Sequence, residues 1–99
     1  MKLKVQSIHF DADKKLIMFI NEKVDKLLNI YEGILDGEVF LRLDKSDSTK
    51  NKITEIRLHT RGKILFAKEQ CTTFEEATDS AVDALRRQLT KHKEKTKNL

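Results

Sequence analysis

The sequence TFEEATDSAVDALRRQLTKHKEK, residues 73–95, decides the fold because it predicts one long helix with two different halves. Thr73, followed three residues later by Glu76, is a capping-box signature that marks the first turn. The first half carries an apolar stripe at the i, i+3, i+4, i+7 spacing of a helix that packs on a core, formed by Phe74, Ala77, Ala81, Val82, Leu85 and Leu89. The stripe ends at Leu89, so we expect the second half to project from the domain.

The projecting half is strongly basic. Residues 86–99 contain six Lys or Arg and one acidic residue, a net charge of +5, whereas the whole chain carries +4. The other 85 residues therefore sum to −1, and one end of the molecule supplies the basic character. Such concentrated charge indicates a polyanionic partner. Trp is absent and no aromatic or bulky apolar residue alternates with the cations after Leu89, which favours nucleic acid over a membrane.

Length and composition predict one cytoplasmic domain. A chain of 99 residues can bury a single core. Its longest apolar run, residues 16–20, is too short to span a membrane, and the opening MKLKVQ lacks the apolar segment of a signal peptide. The single cysteine, Cys71, excludes an intrachain disulfide and suits a reducing compartment.

Hydrophobic periodicity predicts the order strand, helix, three strands, helix. The first helix begins at Asp11 or Asp13, which can cap it, and continues to about Tyr31, where Gly33 and Gly37 end it. The strands are predicted at residues 2–8, 38–43, 53–60 and 64–70. The polar residues 44–52 form a loop, and residues 61–62 form a hairpin turn.

The last three strands form an antiparallel meander, and the first strand pairs beside it after a helical crossover. We therefore predict an α+β fold, a β-α-β-β-β-α domain whose four-stranded sheet carries both helices on one face. In the third strand Ile56 and Leu58 face the core, and Glu55, Arg57 and His59 face outward. In the fourth strand the pattern leaves two possibilities open, because either Ile64 and Phe66 or Leu65 and Ala67 can face the core.

The sequence contains no catalytic constellation. The three histidines, at positions 9, 59 and 92, and Cys71 lie far apart and lack metal-ligand spacing. The glycines form no phosphate-binding loop. Asp79 and Asp83 lie one turn apart on the second helix and fit a solvated helix face, and His59 fits an outward strand position. We therefore expect no enzymatic activity, no cofactor and no metal.

Two helical segments give the chain a specific resemblance. The sequence INEKVDKLLNIY, residues 20–31, carries the lysine pair Lys23 and Lys26 followed by Leu27, and AVDALRRQLTKHK, residues 81–93, carries a basic pattern. In these segments and in its element order the chain resembles, nearly from end to end, the ribosome hibernation promoting factors of the short type. This family includes the ribosome-associated inhibitor. Its fold is related to double-stranded-RNA-binding domains, with an additional first strand.

The resemblance implies a non-enzymatic protein that binds the small ribosomal subunit in the channel of messenger and transfer RNA. There it would compete with both RNAs and inhibit translation during stationary phase or stress. It further implies a single ribosome-binding domain over residues 1–99, a basic tail from about residue 90, no C-terminal dimerisation domain, no membrane partner, and a monomer when free. The expected contacts with ribosomal RNA are cations of the two helices: Lys23, Lys26, Arg86, Arg87, Lys91, His92, Lys93 and Lys95.

Two positions depart from the family's pattern. Glu75 occupies a position where the family usually has an aromatic residue, and Thr78 one where it usually has Ile. Both lie at the packed end of the second helix and so concern the core.

The main alternative is a free-standing double-stranded-RNA-binding module of the same fold class. Arg87, Lys91 and Lys95, at i, i+4 and i+8, form a stripe of about 12 Å that can follow a phosphate backbone. An RNA chaperone or an enzyme is a weaker alternative.

Overall fold

The computed structural model describes residues 2–31, 33–45 and 49–97, without the side chains of residue 2 and of residues 92–97. The predicted order β-α-β-β-β-α is confirmed. The elements are β1 (Lys2–Ser7), α1 (Lys14–Ile30), β2 (Ile34–Leu43), β3 (Lys52–Thr60), β4 (Lys63–Cys71) and α2 (Phe74–Lys97). Neither helix, over its described residues, is long and apolar enough to cross a membrane.

The four strands form one sheet in the order β1-β2-β3-β4. β1 pairs with β2 in parallel, and the β2–β3 and β3–β4 pairs are antiparallel. The predicted hairpin at Arg61 and Gly62 is confirmed, and Gly62 has a φ of 87°, which glycine adopts without steric cost.

The prediction that Gly37 helps to end the first helix is wrong, because this residue lies inside β2. β2 begins at Ile34, four residues before the predicted start at Glu38. A Cβ atom at Gly37 would lie 3.0 Å from Leu58 Cδ2 and 3.2 Å from Leu3 Cδ1. The glycine therefore allows side chains of the two neighbouring strands to approach each other over the backbone of β2.

Both helices pack on the same face of the sheet. The buried apolar side chains of the sheet and the helices form one core cluster: Ile20, Val24, Leu27, Ile34, Val39, Leu41, Ile56, Leu58, Leu65, Ala67, Phe74, Ala81, Val82, Leu85 and Leu89. Leu65 and Ala67 belong to it, which decides between the two orientations of β4. Ile64 and Phe66 therefore lie on the opposite, helix-free face of the sheet, called the open face below.

Both helix starts are capped as the sequence predicts. At α1 the cap is Asp13, whose Oδ1 accepts a hydrogen bond from the backbone N–H of Lys15 at 3.0 Å. At α2 the Thr73 hydroxyl accepts from the N–H of Glu76 at 3.1 Å, and the Glu76 carboxylate accepts from the Thr72 hydroxyl at 2.7 Å. The bonds from the N–H groups of Lys15 and Glu76 satisfy backbone donors that have no partner within the helix.

The two departures from the family pattern have different structural consequences. Glu75 is exposed, so it costs the core nothing. Thr78 is completely buried, and its hydroxyl lies 3.4 Å from the hydroxyl of Thr54 on β3. Because a buried hydroxyl needs a partner, this pair explains how the core accommodates threonine at that position.

α2 extends beyond the core as expected. Its 24 residues span about 36 Å, and Leu89 is its last buried residue among those whose side chains are described. The molecule is accordingly elongated, with dimensions of 48 × 24 × 19 Å. Gln88, just before the end of the apolar stripe, donates a hydrogen bond of 3.0 Å to the backbone carbonyl of Phe66 on β4.

Candidate nucleic-acid interface

The two helices lie side by side and run in the same direction. β4 is parallel to β1, since β2 is parallel to β1 and the next two strands each reverse direction. At the starts of the helices, the ring of Phe10 stacks on Phe74 with 5.2 Å between ring centres. Further along, Lys23 Nζ lies 3.3 Å from Oδ1 of Asp79. Beyond this ion pair both helices continue towards the same end of the molecule.

The lysine pair of α1 lies on the flank next to α2. The ammonium group of Lys23 lies 5.4 Å from the centre of the Phe19 ring, in addition to its contact with Asp79. Lys26, three residues later, is exposed on the same side of the helix. Lys23 therefore has a defined position, whereas Lys26 is free to contact a partner.

The cations of α2 begin about two turns beyond Asp79. Arg86 follows Asp79 by seven residues and so lies on nearly the same side of the helix, 3.7 Å from Asp83. Arg87 and Lys91 lie on the side of α2 that faces away from the core, and both are exposed. Neither of them, nor Lys26, forms an ion pair with any residue that the structure describes. These three cations are available to phosphate groups.

The structure places five of the predicted contact residues on the helical side of the molecule, opposite the open face: Lys23, Lys26, Arg86, Arg87 and Lys91. The other three, His92, Lys93 and Lys95, have side chains outside the described residues, although the backbone there continues α2. The role of all eight residues as RNA contacts stays a prediction.

The carboxylates considered as catalytic candidates have structural partners instead. Asp79 pairs with Lys23, and Asp83 with Arg86. His59 lies on the open face, where its Nδ1 contacts Asp36 and its Nε2 lies 3.8 Å from Glu38. Within the described parts of the chain, no group of three or more His, Cys, Asp or Glu could hold a metal ion.

Asp79 is the residue of this interface that sequence reasoning missed. The sequence predicts a solvated carboxylate, and the side chain is indeed 52% exposed, but it contacts Lys23 across the helix–helix boundary. The periodicity of one helix cannot reveal a partner on another helix. The signal in the sequence is the negative charge of Asp79, which is opposite to that of the Lys23 and Lys26 flank of α1.

We expect Asp79→Asn to strengthen RNA binding slightly and to make it more dependent on salt. Without the carboxylate, Lys23 can neutralise a phosphate, so the slope of log K against log salt should steepen by about 0.9. Stability should change by at most about 1 kcal/mol, because the ion pair is partly exposed. Salt titrations of binding to small ribosomal subunits measure the affinity and its salt slope, and thermal melting measures the stability.

Glu75→Gln provides the control, since it removes the same charge from the exposed first turn of α2. If Asp79→Asn weakened the affinity for small subunits more than tenfold and Glu75→Gln left it unchanged, the Asp79 carboxylate would instead hold Lys23 in its binding position.

Comparison with known proteins assigns the chain to a family. Residues 3–97 match the family described as Sigma 54 modulation protein / S30EA ribosomal protein, and the chain belongs to it. The family is that of the ribosome hibernation factors, which are ribosome-binding proteins without enzymatic activity. The recognition made from the two helical segments is therefore confirmed.

Relatives match over nearly the whole chain. The ribosome hibernation promoting factor of Escherichia coli K12 is 30% identical over 97 residues, 98% of each chain. That of Azotobacter vinelandii is 30% identical over 95 residues, 96% of this chain and 85% of the relative.

Two solved structures have the same fold. A ribosomal subunit interface protein from Coxiella burnetii superimposes with a TM-score of 0.83 at 17% identity, covering 94% of this chain and 98% of that one. The N-terminal domain of Thermus thermophilus Protein Y gives a TM-score of 0.74 at 23% identity, covering 92% and 94%. At these identities the likeness establishes the fold alone.

Proposed function

We propose that this chain is a cytoplasmic hibernation factor that binds the small ribosomal subunit in the channel of messenger and transfer RNA. By occupying that channel it inhibits translation during stationary phase or stress. The observation that carries the proposal is the set of cations that α1 and α2 present on one side of the molecule, in a chain that belongs to a ribosome-binding family.

The arrangement of these cations suits a partner of fixed shape. Phosphate contacts position a protein on RNA without reading its sequence. Double-stranded RNA is recognised mainly by its shape and backbone, because its deep major groove excludes side chains. The shared core holds α1 relative to α2, so the cations of both helices can meet one rigid RNA surface together.

The names of similar proteins support a ribosomal site. The relatives from Escherichia coli and Azotobacter vinelandii are named ribosome hibernation promoting factors, and the Coxiella burnetii structure is titled a ribosomal subunit interface protein. A protein at a subunit interface lies where the small subunit also receives its RNA substrates. We infer the same location for this chain.

A free-standing double-stranded-RNA-binding module is the second candidate. It is favoured by the exposed positions of Arg87 and Lys91, four residues apart on the solvent side of α2, which could contact any RNA duplex. Both functions rest on phosphate contacts, so both weaken as salt rises, and salt dependence does not separate them.

Competition separates the two functions. A protein in the channel shares its volume with messenger and initiator transfer RNA, so pre-loading small subunits with both should raise the apparent Kd well over tenfold. The measurement is sedimentation of a labelled chain with empty and with pre-loaded subunits at one salt concentration.

A duplex-binding module predicts the opposite result, because it would find other RNA helices on the ribosomal surface. Equal affinity for empty and pre-loaded subunits, with tight binding to an isolated RNA duplex, would support that module and contradict the channel.

A further inference from the structure

The open face carries a row of two aromatic rings with an arginine between them. Phe40 lies on β2, Arg57 on β3 and Phe66 on β4, where Arg57 and Phe66 are directly opposite each other in the strand pairing. The guanidinium carbon of Arg57 lies 5.5 Å from the centre of the Phe40 ring and 5.8 Å from that of Phe66. We call these three residues the aromatic row.

The aromatic row is accessible to a partner. Phe66 is 43% exposed and its neighbour Ile64 is 61% exposed. Phe40 is half-buried and Arg57 is exposed. Flat apolar surfaces and a guanidinium group therefore lie together in solvent.

Two cations of the open face are left without a salt bridge within the part of the chain that the structure describes. Glu55 pairs with Arg42, and Asp36 and Glu38 lie beside His59. Arg57 and Lys68, in contrast, form no ion pair with any described residue. A negatively charged ligand with flat apolar groups would therefore match this part of the face.

We propose that the open face binds single-stranded RNA, with an unpaired base stacked on the aromatic row. Unpaired bases stack on aromatic rings and on arginine planes, whereas the bases of a duplex are already stacked and inaccessible. The adjacent phosphates would contact Arg57 and Lys68. A protein partner fits less well, because the centres of protein interfaces are depleted of charged residues and this face is rich in them.

A cleft at the end of β2 provides a second contact for the same strand of RNA. Its volume is about 620 Å³ and it is lined by Ile8, His9, Arg42, Leu43 and Lys45. Arg42 follows Phe40 by two residues on the same face of β2, which places the two Cα atoms roughly 7 Å apart. The phosphate of the next nucleotide would lie there beside Lys45, since Arg42 already pairs with Glu55.

This binding does not depend on the proposed ribosomal role. The aromatic row and the cations of α1 and α2 lie on opposite sides of the sheet, so one RNA contact does not exclude the other. The chain could hold a structured RNA with its helices and an unpaired segment with its sheet.

The experiment measures binding of fluorescein-labelled octauridine to the full chain by fluorescence anisotropy. Phe66→Ala should weaken binding about tenfold, as expected for the loss of one stacked base. Ile64→Ala, on the same strand and face but outside the aromatic row, is the control and should change the affinity by less than twofold. Because both side chains are largely exposed, thermal melting should confirm that both variants fold.

The helix cations provide the competing explanation for any octauridine binding. The double variant Arg87→Glu, Lys91→Glu should keep most of this binding. The proposal would be overturned if that double variant lost octauridine binding while Phe66→Ala kept it, because octauridine would then bind the helices. Absence of octauridine binding to the unmodified chain would also overturn the proposal. So would a dimer of the chain, detected by sedimentation velocity, that Phe66→Ala dissociates, because the open face would then bind a second copy of the protein.

Discussion

Arg87→Glu combined with Lys91→Glu should abolish binding to small ribosomal subunits and leave the melting temperature nearly unchanged. Both side chains are exposed on the side of α2 that faces away from the core, and neither forms an ion pair with a described residue. Reversing them replaces attraction to phosphate by repulsion at two neighbouring positions. Folding does not depend on either charge, so only binding should respond. Co-sedimentation with subunits and thermal melting measure the two quantities.

Lys4→Glu with Lys14→Glu is the matched control for this pair. It changes the net charge by the same amount at two exposed positions outside the candidate interface, on β1 and at the first turn of α1. This control should bind normally. Full binding by the Arg87, Lys91 double variant, or its unfolding, would show that the binding and packing sides of α2 are wrongly assigned.

Leu85→Ala should have the complementary effect, destabilising the fold by about 2–5 kcal/mol. Leu85 is fully buried in the core cluster, one residue before the first cation of α2. Its truncation removes apolar contacts and leaves a cavity that the surrounding helices and sheet fill only partly. For a domain of this size each kcal/mol lowers the melting temperature by roughly 4–8 °C. Urea unfolding and thermal melting give the loss directly.

The volume-conserving change Leu85→Met provides the comparison and should cost less than about 1.5 kcal/mol. Well below its melting temperature, the Leu85→Ala variant should still bind subunits, since its cations are unchanged. A loss below about 1 kcal/mol would mean that Leu85 does not contribute to the core as described.

Much of the fold could be predicted from periodicity, but the orientation of β4 could not. Ile64, Leu65, Phe66 and Ala67 are all apolar, so either face of the strand could be buried. The hairpin register decides, because it places Leu65 beside the inward-facing Leu58.

The burial of Glu55 could also not be predicted from the sequence pattern. The alternation of β3 places it correctly on the open face, yet only 7% of it is accessible because Arg42 of the neighbouring strand contacts it. Such a pairing depends on the strand register, which a single strand does not encode.

The candidate interface was predictable to a similar degree. Charge clustering and the family resemblance identified the cations of both helices, and the structure brings five of them to one side. The Lys23–Asp79 ion pair and the position of Arg57 between two rings could not be predicted, because each joins residues from different elements. Whether any of the eight predicted cations contacts RNA is still a prediction.

The hydrogen bond from Gln88 to the Phe66 carbonyl has a consequence for self-association. β4 is an outer strand, and its unpaired carbonyl and amide groups could template the addition of a strand from another molecule. Gln88 occupies one of these carbonyls from the side, in the middle of the strand, and so interrupts the row that an incoming strand would need. The helix that displays the cations thus also hinders edge-to-edge pairing at β4.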